Sequence, residues 1–158
     1  MEAVKAAVIK LEDNVLFNAG KGSVFTKKGK HEMDASIMDG KTLDAGAVAS
    51  VKNIRNPVLL AEAVMKCSNH VLSGEGAMDF AKEQKITTEP DDYFYSQFRY
   101  KQWQQLQSGD AVALDHSAQA QLGSSNKMGT VGAVACDKYG NVAAATSTGG
   151  MTNKNYGR

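Results

Sequence analysis

Ala3, Val4, Ala7, Val8 and Leu11 fall three and four residues apart near the start of the chain, the spacing that lines one face of a helix. Glu12-Asp13-Asn14 ends that run, and residues 17–22 read as a glycine-punctuated loop. The period then changes to two. Met33, Ala35 and Ile37 alternate with Asp34, Ser36 and Met38, the signature of a half-buried strand. Asp39-Gly40 marks a turn, and Ala45–Val51 is a second strand that pairs with the first as a hairpin or meander. Asn56-Pro57 opens a helix, with Asn as cap and Pro where no N–H is needed. Val58, Ala61, Val64 and Met65 give that helix its buried face. A short strand is expected around His70-Val71-Leu72, then a helix over residues 77–84 and another over residues 93–107. Tyr93, Phe94, Phe98 and Trp103 supply apolar contacts from the last helix; with no basic groove around them they read as core, not as a stacking platform for nucleic acid.

Residues 108–128 break the pattern, being mostly Ser, Gly, Gln, Asp and Ala with little periodicity. A loop of that length inside a compact domain is uncommon and usually functional or a linker. The next two strands, 130–136 and 141–148, flank the turn signal Asp137-Lys138-Tyr139-Gly140. Nearly all their residues are small: Gly132, Ala133, Ala135, Ala143, Ala144, Ala145. Small side chains allow close approach of backbones and helices, which predicts a central strand pair buried on both faces. Gly129-Thr130 opens this hairpin. A threonine hydroxyl becomes a nucleophile when its own freed α-amine acts as base. That requires a cut just before Thr130, at a bond Gly129 leaves sterically open, and the run upstream provides the slack for it.

Composition narrows the field without pointing to a chemistry. A chain of 158 residues with 42% hydrophobic and 22% charged residues suits one globular domain with a real core. A net charge of +1 gives no electrostatic reason to expect nucleic acid or an anionic membrane as partner. No apolar run approaches the roughly 18 residues that would cross a bilayer, and the N-terminus lacks a secretory h-region, so a cytoplasmic location is expected. Cys67 and Cys136 read as two reduced thiols, and His31, His70 and His116 as surface or loop histidines without metal-ligand spacing. Neither G-x-x-x-x-G-K-[ST] nor G-x-G-x-x-G occurs, which removes a nucleotide-binding reading of the glycines.

The run Gly129-Thr130-Val131-Gly132-Ala133-Val134-Ala135-Cys136, followed through the turn by Asn141-Val142-Ala143-Ala144-Ala145-Thr146-Ser147-Thr148-Gly149-Gly150, resembles the nucleophile hairpin of the plant-type L-asparaginase / isoaspartyl peptidase (β-aspartyl-peptidase) family. These are N-terminal-nucleophile hydrolases made as self-cutting precursors. The resemblance extends over the whole chain, including Met33-Asp34-Ala35-Ser36-Ile37-Met38-Asp39-Gly40 and Asn56-Pro57. It implies an α/β fold, a four-layer αββα sandwich with antiparallel sheets, assembled as a dimer of αβ heterodimers. It also implies hydrolysis of L-asparagine and β-aspartyl dipeptides with no catalytic cofactor. By the same resemblance Thr130 is the nucleophile, self-cleavage falls between Gly129 and Thr130, and the Thr148 hydroxyl tunes the nucleophile. Asn18 supports the nucleophile region, and Arg158 holds the substrate α-carboxylate, a bidentate task suited to guanidinium. The loop Leu11 to Lys21 resembles one that binds a structural sodium through backbone carbonyls, which points to Leu11, Glu12, Asn14, Phe17, Ala19 and Lys21. In these terms residues 1–107 are most of an α-subunit, 108–129 a linker ending at the cut, and 130–158 the start of a β-subunit.

Family precursors are longer. Against them the chain resembles an interior fragment, incomplete at both ends: a strand with a His-Gly-Gly-Ala-Gly-type motif is expected before Met1. A substrate-binding aspartate and a further Thr-Gly segment are expected after Arg158. Such a fragment alone is expected to be inactive. Two alternatives stay open: a non-catalytic remnant or interaction module that keeps the hairpin, and a glycosylasparaginase-like hydrolase. The second is disfavoured by Gly129, where that branch typically carries Asp.

Overall fold

The computed structural model describes residues 1–67, 70–107, 129–155 and 157. The expected linker at 108–128, His116 and Arg158 lie outside the described residues. Among the described residues the elements follow in the order α1 (Glu2–Glu12), β1 (Met33–Asp39), β2 (Ala45–Val51), α2 (Pro57–Met65), β3 (Val71–Ser73), α3 (Gly74–Glu83), α4 (Asp91–Phe94), α5 (Gln97–Leu106), β4 (Val131–Cys136) and β5 (Val142–Thr148). A 3-10 turn covers Gly20–Gly22.

The strands form one sheet in the order β3-β2-β1-β5-β4. The pairs β2–β1, β1–β5 and β5–β4 are antiparallel, whereas β3 joins β2 in parallel. Helices α1, α2 and α3 cover one face. Val4 and Val8 of α1, Val58, Ala61 and Val64 of α2, and Ala77 and Ala81 of α3 meet Met33, Ala35, Ile37, Val48, Val131, Ala143 and Ala145 from the sheet. Period-two alternation put the right β1 residues inward: Met33, Ala35 and Ile37 are buried, and Met38 is exposed.

Several boundaries differ from the sequence pattern, each for a local reason. The helix expected over 93–107 is two helices, because Tyr95 and Ser96 turn extended and the Ser96 hydroxyl accepts from Arg99 N at 3.1 Å to cap α5. Phe98 accordingly lies on the outside, while Phe94 is buried. Helix α3 starts at Gly74, before residue 77, and runs through two poor helix formers, Gly74 and Gly76. The β4–β5 pair is not buried on both faces. Its small residues let α1 lie close on one side, but β4 is a sheet edge, and Val134 and Val142 on the other side are 84% and 56% exposed. Among the described residues nothing covers that second face.

Candidate active site

The hairpin register brings the two threonines together. In the β4–β5 ladder Val131 is opposite Ser147, so the preceding residue, Thr130, falls opposite Thr148. Side chains alternate along a strand, and both hydroxyls emerge on the face that carries no helices. Thr130 Oγ1 and Thr148 Oγ1 lie 2.8 Å apart. The Thr148 oxygen also accepts the N–H of Gly150 at 3.0 Å. The Thr148 oxygen keeps a second lone pair and its proton, so either hydroxyl can donate in the Thr130–Thr148 bond.

Asn18 binds this corner from the loop after α1, using all its polar groups. Its side-chain Oδ1 accepts from Val24 N (3.0 Å) and its Nδ2 donates to Gly150 O (2.7 Å). Its carbonyl accepts from Gly149 N at 2.9 Å. Its own N–H donates to the carbonyl oxygen of Gly129 at 3.2 Å. That oxygen belongs to the bond before Thr130, so one main-chain donor is aimed at the carbonyl that a Thr130 attack would convert to an oxyanion. Gly149 has to be glycine here: a Cβ would collide with Asn18 Oδ1 and lie 2.8 Å from Ser23 Cβ and 2.9 Å from Val24 N.

Three buried polar side chains around the corner escaped the sequence reading. Glu12 is fully buried and continues the α1 stripe one step past Val4 and Val8. One carboxyl oxygen accepts from Val58 N at the start of α2 (3.0 Å). Burial pushes its pKa up to about 7, against the hydrogen bonds it receives, and Asp13 beside it adds in the same direction. The Ser147 hydroxyl faces this carboxyl closely enough to oppose the rise. Yet neither Ser147 Oγ nor Glu12 Oε2 closes a hydrogen bond of ordinary length among the described residues. His31, expected at the surface, is 8% exposed. It packs 4.3 Å from the Phe25 ring centre, and its Nδ1 lies 3.1 Å from Ser23 O and 3.2 Å from Ser23 Oγ. Burial lowers its pKa to about 4, so the ring is neutral near pH 7. Lys154, 1% exposed, donates from Nζ to Glu32 O at 2.8 Å. For Glu12 the i+4 step past Val8 was the available signal; for Lys154 no pattern in the sequence marks it.

The expected sodium loop is compatible with a small hard cation. Gly20 and Gly22 admit no side chain, because main-chain carbonyls fill the space: Glu12 O lies 2.5 Å from a Cβ built on Gly20, and Phe17 O and Val15 O crowd Gly22. Leu11 O, Asn14 O and Ala19 O each accept one backbone N–H and keep a second lone pair. Carbonyl oxygens are the donor type that hard cations take. Among the described residues no cluster of three or more His, Cys, Asp or Glu side chains could hold a metal ion. No helix of the described residues is long and apolar enough to cross a membrane.

Comparison with known proteins fits this geometry. The chain is 54% identical to the isoaspartyl peptidase of Salmonella typhimurium and 52% identical to that of Escherichia coli, in each case over its whole length and 50% and 49% of the relative. The isoaspartyl peptidase/L-asparaginase of Homo sapiens is 45% identical over the whole chain and 49% of its own length. The chain thus spans about half the length of the curated relatives it matches. All of residues 1–158 match the asparaginase family, and the chain belongs to it.

Proposed function

We propose that Thr130 is the nucleophile of a self-cleaving amidohydrolase precursor that acts on L-asparagine and β-aspartyl dipeptides. The observation that carries the reading is the corner itself. A threonine hydroxyl lies 2.8 Å from a second hydroxyl, and the carbonyl just before it receives a main-chain N–H. In the precursor, Thr130 Oγ1 attacks the Gly129 carbonyl carbon, and the Asn18 N–H stabilises the charge that grows on the oxygen. The hydroxyl proton passes to the Thr130 nitrogen as the C–N bond breaks, leaving an ester on Oγ1 and a free α-amine on Thr130. Water hydrolyses the ester, and Gly129 departs as a carboxylate.

The freed amine is the base of the second reaction. An α-amine has a pKa near 8, so a useful fraction is neutral at pH 7. It takes the Thr130 hydroxyl proton as the oxygen attacks a substrate amide, and passes that proton to the leaving amine. Thr148, fixed by the Gly150 N–H, donates toward the nucleophile oxygen. An acyl-enzyme follows, and water releases aspartate. We assign Arg158 to the substrate α-carboxylate, and the dimer of αβ heterodimers to the processed protein. A sodium ion held by carbonyls of Leu11, Glu12, Asn14, Phe17, Ala19 and Lys21 would stiffen the loop that carries Asn18. The printed names of the relatives support the substrate class, each relative being called an isoaspartyl peptidase or isoaspartyl peptidase/L-asparaginase.

The test uses the protein expressed from its complete reading frame. Aspartate release from a β-aspartyl dipeptide and from L-asparagine is expected, and Thr130→Ala should abolish both. A folded, processed protein that releases no aspartate from either compound refutes the substrate assignment.

A further inference from the structure

Lys154 lies in a place where a lysine costs free energy. It is 1% exposed, and burial drives its pKa down, opposed by the carboxylates of Asp34 and Glu32. Its ammonium reaches across the structure to donate to Glu32 O, the residue just before β1. Its stem and head occupy the space that a side chain on Gly150 would take. A Cβ on Gly150 would stand 3.0 Å from Nζ and 3.2 Å from Cδ, and Gly150 holds a φ of +73°, which L side chains rarely adopt. The backbone of Lys154 is also fixed: its N–H donates to Met151 O (3.3 Å), and its carbonyl accepts from Lys27 N (2.8 Å).

Gly150 is the peptide on which both halves of the site meet. Its N–H donates to Thr148 Oγ1, and its carbonyl accepts from Asn18 Nδ2. We infer that Lys154 is a positioning residue for the nucleophile pair, clamping Gly150 against β1 so that the Gly150 N–H stays on Thr148 Oγ1. The clamp has a charged frame on every side. Asp34 sits opposite Thr148 in the β1–β5 ladder and accepts from Ser50 N. Glu32 is nearly buried, 3.6 Å from Lys52 Nζ, and its carboxylate accepts from Gly157 N. Without the Lys154 head, Glu32 O loses its donor, and the space beside Gly150 is no longer filled by the ammonium. Thr148 then loses the N–H that orients its proton. The inference rests on Thr130 as nucleophile only for its effect on the reaction; the clamp itself is a statement about Gly150.

The experiment therefore reads the two separately, in the protein expressed from its complete reading frame. In a Thr130→Ala background, which keeps the chain uncut, Lys154 is compared with Lys154→Met by amide hydrogen exchange. Methionine keeps the stem and removes the ammonium. The Gly150 amide should exchange at least tenfold faster, while the ladder amides of β1 and β5 keep their rates. With Thr130 present, cleavage after Gly129 should slow by tenfold or more in Lys154→Met, and Lys154→Arg should recover part of the loss. Unchanged Gly150 exchange overturns the clamp. So does an equal loss of protection throughout the ladder, which would mean that Lys154 merely holds the fold. A chain that stays uncut with Thr130 present, while Gly150 exchange responds as expected, refutes the nucleophile and leaves the clamp standing.

Discussion

The two ends of β5 are built on opposite plans. At the Thr148 end, backbone from three separate segments converges: the loop carrying Asn18, the start of β1, and the turn at Gly149-Gly150. Long-range partners hold it, and there is no room for one extra carbon on Gly149. At the Val142 end the hairpin turn largely holds itself. Asp137 accepts from Tyr139 N (2.8 Å), Asn141 N (3.0 Å) and Asn141 Nδ2 (2.8 Å), and a Cβ on Gly140 would meet nothing. From outside the hairpin, Gly40 N donates to Val142 O at 2.8 Å. The difference shows where the sequence invests in geometry: the same strand is over-determined where two hydroxyls must meet and loosely held where they are absent.

Alanine at the two glycines should expose that difference most sharply. Gly149→Ala drives a carbon into Asn18 Oδ1 and against the backbone of Val24, so about 3 kcal/mol or more of stability should go, together with self-cleavage. Gly140→Ala pays only for its φ of +84°, about 1 kcal/mol, and should cleave like the parent. Urea unfolding and intact mass read both; equal losses at the two sites would erase the contrast.

Glu12 and His31 offer a test through pH. Glu12 is raised from 4.5 to about 7, so the folded protein holds its proton more tightly, and its contribution is full below 4.5 and lost as pH rises to about 7. His31 is lowered from 6.5 to about 4, so its contribution is full above 6.5 and lost as pH falls to about 4. The two oppose one another between about 4.5 and 6.5, each shift being worth roughly 3 kcal/mol. Glu12→Gln removes one side of the balance. Its stability should then fall by roughly 3 kcal/mol between pH 6.5 and 4, more steeply than the parent's. Thermal or urea midpoints across that range decide it; parallel pH curves for parent and variant would contradict the balance.

Asp137→Ala should cost least. The carboxylate is exposed and its three acceptor bonds are local, so a smaller loss than that of Gly140→Ala is expected from urea unfolding, with self-cleavage unchanged. A large loss of cleavage would mean that the far end of β5 also governs the nucleophile.

The same contrast separates what the sequence made legible from what it hid. Alternation placed β1 correctly, and Asn56-Pro57 marked the start of α2, because those signals are local. The strands of the hairpin were equally readable, but the small residues along them pointed to burial on both faces, of which only the helix side is found among the described residues. That β4 is an edge with one bare face was not readable, since it depends on strand order. The break between α4 and α5 hid behind continuous aromatic residues, although Ser96 three residues before Arg99 was a usable capping cue. At the site, Thr130, Thr148 and Asn18 came from the family resemblance. Their meeting needed the register of β4 on β5 and a loop arriving from far away in sequence. His31 and Lys154 carried no pattern at all: His31 is covered by the nearby Ser23 and Phe25 together with the distant Phe94, and Lys154 reaches back to Glu32.

Intact mass after incubation at neutral pH is the most direct measurement of the central claim, made on the protein expressed from its complete reading frame. The account predicts two species divided between Gly129 and Thr130, and a single uncut species for Thr130→Ala. A folded parent that stays whole, or one that is cut at the same bond with alanine at 130, would contradict it.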